Sequence, residues 1–315
     1  MKRMMQWSLS RCSWAAAIAL LWGCTPVVPV DSSLPQVVAT STILADLTAE
    51  VGGDEIELIS ILQPGDDPHI YEPVPRDTVA LEEADLILYN GYQLEPALIR
   101  LIEGVGAQVP RFAVGEVVEP LALDYEGQRV PDPHVWGDAE NAIAMVAAIR
   151  DQLITLSPAD ADLFTANAAD LIAQLQALDA WITAQIATIP PEHRQLVTTH
   201  DAFAYYVAAY DLTMLGTLIG ISTEEQPSAQ TVKTLSDAIR AAGVPAIFAE
   251  TTINDSLIQA VATEAQVTLA DQPLYSDSIG APGSNGDSYI KMLVANTEAI
   301  ATALGGTVEP WPGSD

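Results

Sequence analysis

The chain is poor in cysteine, in positive charge and in aromatic rings, and each shortage excludes something. Its 315 residues hold only two cysteines, Cys12 and Cys24. No disulfide framework and no cysteine metal cluster can therefore be built beyond residue 24. Twelve Lys and Arg stand against forty-two Asp and Glu, a formal net charge of −30. Beyond residue 30 the only lysines are Lys233 and Lys291. Such a surface repels nucleic acid and anionic membranes and mildly favours cations. After residue 22 the only tryptophans are Trp136, Trp181 and Trp311, a thin supply for stacking on sugars. The one Gly-rich loop, Gly280 to Gly286, has no basic residue, so it is a poor phosphate cradle. There is no HExxH motif and no evident nucleophile–base pair, which argues against a hydrolase.

What is present is apolar bulk and clear punctuation. Nearly half the residues are hydrophobic, and the length allows two domains with cores of their own. Residues 1–24 read as a targeting segment: Lys2, Arg3 and Arg11 flank the apolar run Ser13–Trp22, which is too short to span a bilayer. The run ends at Leu21-Trp22-Gly23-Cys24, which resembles a lipoprotein cleavage box with Cys24 as the lipidated residue. Residues 25–36 are rich in Pro and Ser and read as a tether.

Strand and helix patterns then alternate through 37–156 and again through 191–315, which predicts α/β lobes built on mostly parallel sheets flanked by helices. Between them lies one long amphipathic pattern, 157–190. Leu163, Leu171, Leu175, Leu178, Ile182 and Ile186 recur at helical spacing, Ser157 and Pro158 open it, and Pro190 and Pro191 stop it. The spacing predicts a single backbone helix about 50 Å long that joins the lobes and permits only small rigid-body motion. The stretch 116–137 reads as loop-rich.

Four residues are candidate metal ligands. His69 follows the strand pattern EIELISIL, His200 directly follows QLVTT, Asp277 follows QVTLA, and His134 precedes a helix. Ligands of open α/β sheets sit outside the carboxyl ends of the strands, so these groups can meet between the lobes. Three imidazoles and a carboxylate suit zinc, and also manganese or iron in a higher-coordinate site. Proline precedes both His69 and His134 and restricts each loop. Asp66, Asp67, Asp132 and Glu250 are available to accept the second ring N–H or to add negative potential. Taken one at a time, His69 and His134 read as solvated loop histidines, His200 as a satisfied strand-end residue and Asp277 as a turn cap. His193, in PPEHRQ, reads as solvated.

Four stretches carry a resemblance: Asp67–Pro73 (DPHIYEP), Pro131–Trp136 (PDPHVW), Thr198–Tyr206 (TTHDAFAYY) and Pro273–Tyr289 (PLYSDSIGAPGSNGDSY). In this order they resemble the ligand motifs of the zinc- and manganese-binding lipoproteins of bacterial ABC importers, cluster A-I (bacterial solute-binding protein family 9). The resemblance covers residue 37 to the end. It implies two α/β lobes on one helix, a single divalent ion, Zn2+ or Mn2+, held by His69, His134, His200 and Asp277, and delivery to a membrane permease with its ATPase. It also implies a monomeric, lipid-anchored extracytoplasmic protein that is not an enzyme. The family associates histidine at the third place with zinc-type or mixed members. Ile221–Pro227 (ISTEEQP) and the fourth motif instead look like the manganese branch, and no histidine-rich loop lies near Glu116–Pro131. On balance zinc is expected, with manganese close behind. The competing readings are a zinc hydrolase with Glu250 as base, a binding protein for an organic solute, and a structural lipoprotein without a ligand.

Overall fold

Four short parallel strands organise the first lobe. In the computed structural model, which describes residues 34–105, 109–125 and 127–313, β1 (Gln36–Ala39) pairs with β2 (Glu57–Ser60) on one side and β3 (Leu86–Tyr89) on the other. β4 (Arg111–Ala113) adds to β3, giving the order β2-β1-β3-β4. Val37, Val38, Ile87 and Leu88 are fully buried, as expected of a sheet covered on both faces. The covering helices are α1 (Thr42–Gly52), α2 (Pro75–Glu83) and α3 (Pro96–Val105). Ser41 caps α1 by accepting from the Leu44 N–H.

The stretch 116–137 is more ordered than expected. It contains an antiparallel hairpin, β5 (Ala122–Tyr125) against β6 (Gln128–Pro131). Gly127 takes the positive φ that the tight turn demands. After the hairpin, Asp138 caps α4 (Ala139–Leu156).

The linking helix is shorter than its sequence pattern. A single 3-10 turn, Pro158–Asp160, precedes α5 (Ala161–Ile186). Ser157 does not cap the α-helix; its hydroxyl donates to the Asp160 carboxylate. At 26 residues α5 is about 39 Å long. Leu163 lies on the solvent side at 39% exposed. Phe164 takes its place inside and continues through Ala168, Leu171, Leu175, Leu178, Ile182 and Ile186, all buried. This stripe packs on α4 and α1 and on the final helix, α9 (Tyr289–Ala303), in one continuous apolar cluster. Burying a Leu or Ile side chain stabilises by roughly 1.5–3 kcal/mol, so α5 holds the halves together by shared core.

The second lobe uses shorter strands. β7 (Gln195–Thr198) pairs parallel with β8 (Thr213–Thr217), and β9 (Ala246–Ile247) with β10 (Thr268–Leu269). The Phe248 N–H donates to the Val197 carbonyl and joins the two pairs. Helices α6 (Ala204–Ala209), α7 (Ala229–Ala242) and α8 (Ser256–Ala265) complete it. Among the described residues no helix is long and apolar enough to cross a membrane. The expected signal segment, Cys24 and most of the tether lie outside the described residues.

One buried carboxyl in the first lobe has a direct consequence for stability. Glu95 accepts from the Thr40 hydroxyl at 2.8 Å and the Asn90 N–H at 2.7 Å, while its second oxygen is buried without a partner. Burial pushes its pKa up to about 7. The folded protein thus binds this proton more tightly than the unfolded chain. The stabilisation is present below about pH 4.5 and is lost as pH rises to about 7, a change of roughly 3 kcal/mol. Glu95→Gln keeps the acceptor and removes the charge. Urea unfolding at pH 5 and pH 8 is expected to show the variant gaining on the parent chain at the higher pH, and a constant difference would contradict this.

Candidate metal centre

Each donor sits just beyond the carboxyl end of a strand or at the exit of the hairpin. His69 lies within the loop between β2 and α2, His134 follows β6, His200 follows β7 and Asp277 lies in the loop after β10. All four are buried, with His134 and His200 fully so. One ligand atom from each lies within 4.8 Å of the others.

The separations have the scale of a coordination polyhedron. His69 Nε2 is 3.2 Å from His134 Nε2. His200 Nε2 is 3.1 Å from Asp277 Oδ2, and His134 Nε2 is 3.5 Å from Asp277 Oδ1. Ligands about 2.05 Å from a tetrahedral zinc stand about 3.3 Å apart. His200 Nε2 and both Asp277 oxygens are buried and make no hydrogen bond among the described residues. Buried polar atoms are almost always paired, so three unpaired ones facing a common point mark a place for a cation.

Two of the rings are aimed from behind by carboxylates. Asp132 accepts from the His134 backbone N–H at 3.0 Å and lies 2.7 Å from its Nδ1. Glu250 does the same for His200, at 2.8 Å from the backbone nitrogen and 2.5 Å from Nδ1. Once an ion displaces the Nε2 proton, the carboxylate keeps the remaining proton on Nδ1, so that Nε2 can ligate through its lone pair. Of the two roles open to Asp67, accepting a ring N–H or adding negative potential, it does not take the first. It accepts from the His69 backbone N–H at 2.9 Å and not from the ring, because the Asp-Pro-His turn folds its side chain back on the main chain. Asp66 does not reach a ring either; it accepts from the Gln63 N–H. His193 stands apart from the centre, with Nδ1 3.2 Å from the Leu304 carbonyl at the end of α9. It is half-buried, not solvated as expected.

Burial and charge act against each other here. Burial lowers the His69 pKa to about 3. Burial also opposes charge on His200, but Glu250 and Asp277 outweigh it and hold that imidazole protonated well above the usual range. Burial would raise Asp277, yet the three imidazoles, His200 first, hold it well below the usual carboxylate range. Burial and the Asp277 charge both raise Asp67.

Three supporting residues were not singled out from sequence. Trp136 donates its Nε1–H to the Ser276 carbonyl at 2.9 Å, tying the His134 segment to the residue before Asp277. The Tyr205 hydroxyl donates to the Asp132 carbonyl at 2.9 Å. The Thr223 hydroxyl donates to Asp67 Oδ2 at 2.6 Å. Trp136 and Tyr205 lie inside the quoted motifs and Thr223 inside Ile221–Pro227, but their contacts are long-range and have no local signature.

Residues 37–303 match the family described as "Zinc-uptake complex component A periplasmic" (ZnuA). The chain belongs to this family. It is 32% identical over 269 residues to the manganese-binding lipoprotein MntA of Halalkalibacterium halodurans, covering 85% of this chain and 88% of that protein. It is 34% identical over 301 residues to the metal ABC transporter substrate-binding lipoprotein FimA of Streptococcus parasanguinis, covering 92% and 97%. Among solved structures it is similar to the periplasmic zinc-binding protein TroA of Treponema pallidum. There the TM-score is 0.82 at 32% identity, over 86% of this chain and 99% of that one. Family members are extracytoplasmic substrate-binding proteins of metal ABC importers, not enzymes, and the hydrolase and organic-solute readings fall away.

Glu250 offers a direct check on the carboxylate support. Glu250→Gln keeps the shape and one acceptor but removes the charge behind His200. Zinc affinity, measured by competition with a chromophoric chelator, is expected to fall roughly 10–100-fold. An unchanged affinity would contradict the role given to Glu250.

Proposed function

We propose that this protein captures one divalent transition-metal ion with His69, His134, His200 and Asp277 and hands it to the permease of an ABC importer, whose ATPase drives transport. The observation that carries the reading is the convergence of four buried donors, three of whose inward atoms lack a hydrogen bond among the described residues. The same groups argue for carriage over catalysis. Four protein ligands can enclose the ion and leave no open position for water.

Zinc is the preferred ion. Three imidazole nitrogens bind zinc more tightly than manganese on intrinsic affinity. Manganese is the second reading, and one geometric fact favours it: Asp277 turns both oxygens toward the histidines, Oδ1 to His134 and Oδ2 to His200. A carboxylate placed this way can bind through both oxygens and raise the coordination number. MntA is named for manganese and TroA for zinc, so both ions fit the kinship.

The organisation we propose is a signal segment over 1–24, lipidation at Cys24, a tether over 25–36, and a monomer of two lobes, 37–156 and 191–315, joined through 157–190. The relatives named lipoproteins support the anchor.

The test is a competitive zinc and manganese titration of the metal-stripped protein beside His200→Glu and His134→Ala. One ion per chain, a zinc preference that narrows in His200→Glu, and a loss in His134→Ala beyond the roughly 100-fold of an outer partner are expected. Comparable affinities in the parent chain would favour the manganese reading. Absence of binding, or binding untouched by His134→Ala, would sink the site.

A further inference from the structure

Among the hydrogen bonds that cross between the lobes near this centre without using any of the four donors, one reaches the His69 turn directly. The Thr223 hydroxyl donates to Asp67 Oδ2 at 2.6 Å. Asp67 lies before α5 and Thr223 after it, so the bond spans the two halves of the chain. Asp67 is buried, and its other oxygen accepts from the His69 backbone N–H. The two oxygens therefore serve different ends. Oδ1 fixes the His69 backbone, and Oδ2 reaches the other lobe.

The loop that carries Thr223 is in turn tied to the third histidine. The Asp201 N–H donates to the Gly220 carbonyl at 3.2 Å, and the Leu218 and Ile219 N–H groups both donate to the Thr199 carbonyl. Glu225 folds back and accepts from the Gly220 N–H at 3.3 Å. A path of bonds thus runs from the residues on either side of His200, through Gly220 and Thr223, to Asp67 and His69. It links donors of opposite lobes by a route that does not pass through the ion.

We propose that Thr223 is a positioning residue for metal capture: its hydroxyl, acting through Asp67, holds the His69 loop against the second lobe and slows release of the ion. The inference rests on the metal-binding reading above. Among the described residues the Thr223 hydroxyl is the only hydrogen-bond donor to Asp67 Oδ2. Without it a buried carboxylate oxygen near Asp277 is left unpaired, which is costly. The cheapest relief is for the Asp67–His69 turn to move toward water. His69 is the ring least able to resist. His134 and His200 have carboxylates at Nδ1, whereas the Nδ1 of His69 makes no hydrogen bond among the described residues. His69 also borders a cavity of about 500 Å3, lined by Tyr92, Pro133, Ile221 and Ser222 among others, into which the turn can relax.

The experiment is stopped-flow transfer of zinc from the loaded protein to an excess of chelator, run on the parent chain, Thr223→Val, Thr223→Ser and Ser222→Ala. Valine keeps the shape of threonine and removes the hydroxyl, serine restores the hydroxyl, and Ser222→Ala disturbs the same loop without touching the bond. Release from Thr223→Val is expected to be roughly ten- to a hundredfold faster, with Thr223→Ser and Ser222→Ala close to the parent rate. A parent rate in Thr223→Val would overturn the inference while leaving the metal site standing. Equal acceleration in Ser222→Ala, or no rescue by serine, would assign the effect to the loop and not to the hydroxyl, and would overturn it too. A parent chain that takes up no zinc or manganese would remove the metal reading and this inference together.

Discussion

A carboxylate buried among three imidazoles is the constraint on which the rest depends. Asp277 is 1% exposed, and neither of its oxygens makes a hydrogen bond among the described residues. Charge in such a place is expensive unless something opposite in sign sits beside it. His200, held between Asp277 and Glu250, can supply that charge. A divalent cation would supply more of it, and would also take the unpaired nitrogen and oxygen atoms that face one another. Such a centre calls for a cation, and its chemistry is that of a carrier.

The architecture explains how such a costly cluster is held. Parallel strands place successive loops at one edge of each sheet, and His69, His200, Glu250 and Asp277 all follow strand ends there. The two-residue strands β9 and β10 are enough, because the Glu250–Leu274 bridge extends their pairing into the loops that carry function. Behind the loops, α5 packs on α1, α4 and α9 in one apolar cluster, so the halves share a core. Bonds at the pocket then fix the remaining freedom. Ser278, next to Asp277, accepts from the Gly65 N–H at 2.9 Å and lies 3.1 Å from the Thr42 hydroxyl. With the Thr223–Asp67 bond, both flanks of the site are tied across the cleft. Wide hinge opening would break all of these.

Much of this was legible in the sequence, for reasons that can be named. Asp138 and Ser288 announce α4 and α9 because a short polar side chain before an apolar period has one cheap use, the helix cap. All four donors were legible as an ordered set of motifs, though each alone reads as an ordinary loop residue. Other features escaped. The β5–β6 hairpin was hidden because β6 is mostly exposed and neither strand carries a strong β-branched run. Leu163 and Phe164 are adjacent and apolar, and only packing decides which one turns inward. Which of its two open roles Asp67 takes was not legible: it holds the His69 backbone N–H and not the ring, since a proline between it and His69 sets a tight local turn. Thr223 sits 156 residues from its partner, and no local pattern reports a contact of that range.

Binding of one ion by His69, His134, His200 and Asp277 together is tested most directly by anomalous diffraction at the metal edge from crystals of the loaded protein. One strong peak is expected between the lobes, about 2.0–2.3 Å from three imidazole nitrogens and one or two carboxylate oxygens. A peak elsewhere, or a peak in this cleft that leaves any of the four side chains unbound, would contradict it.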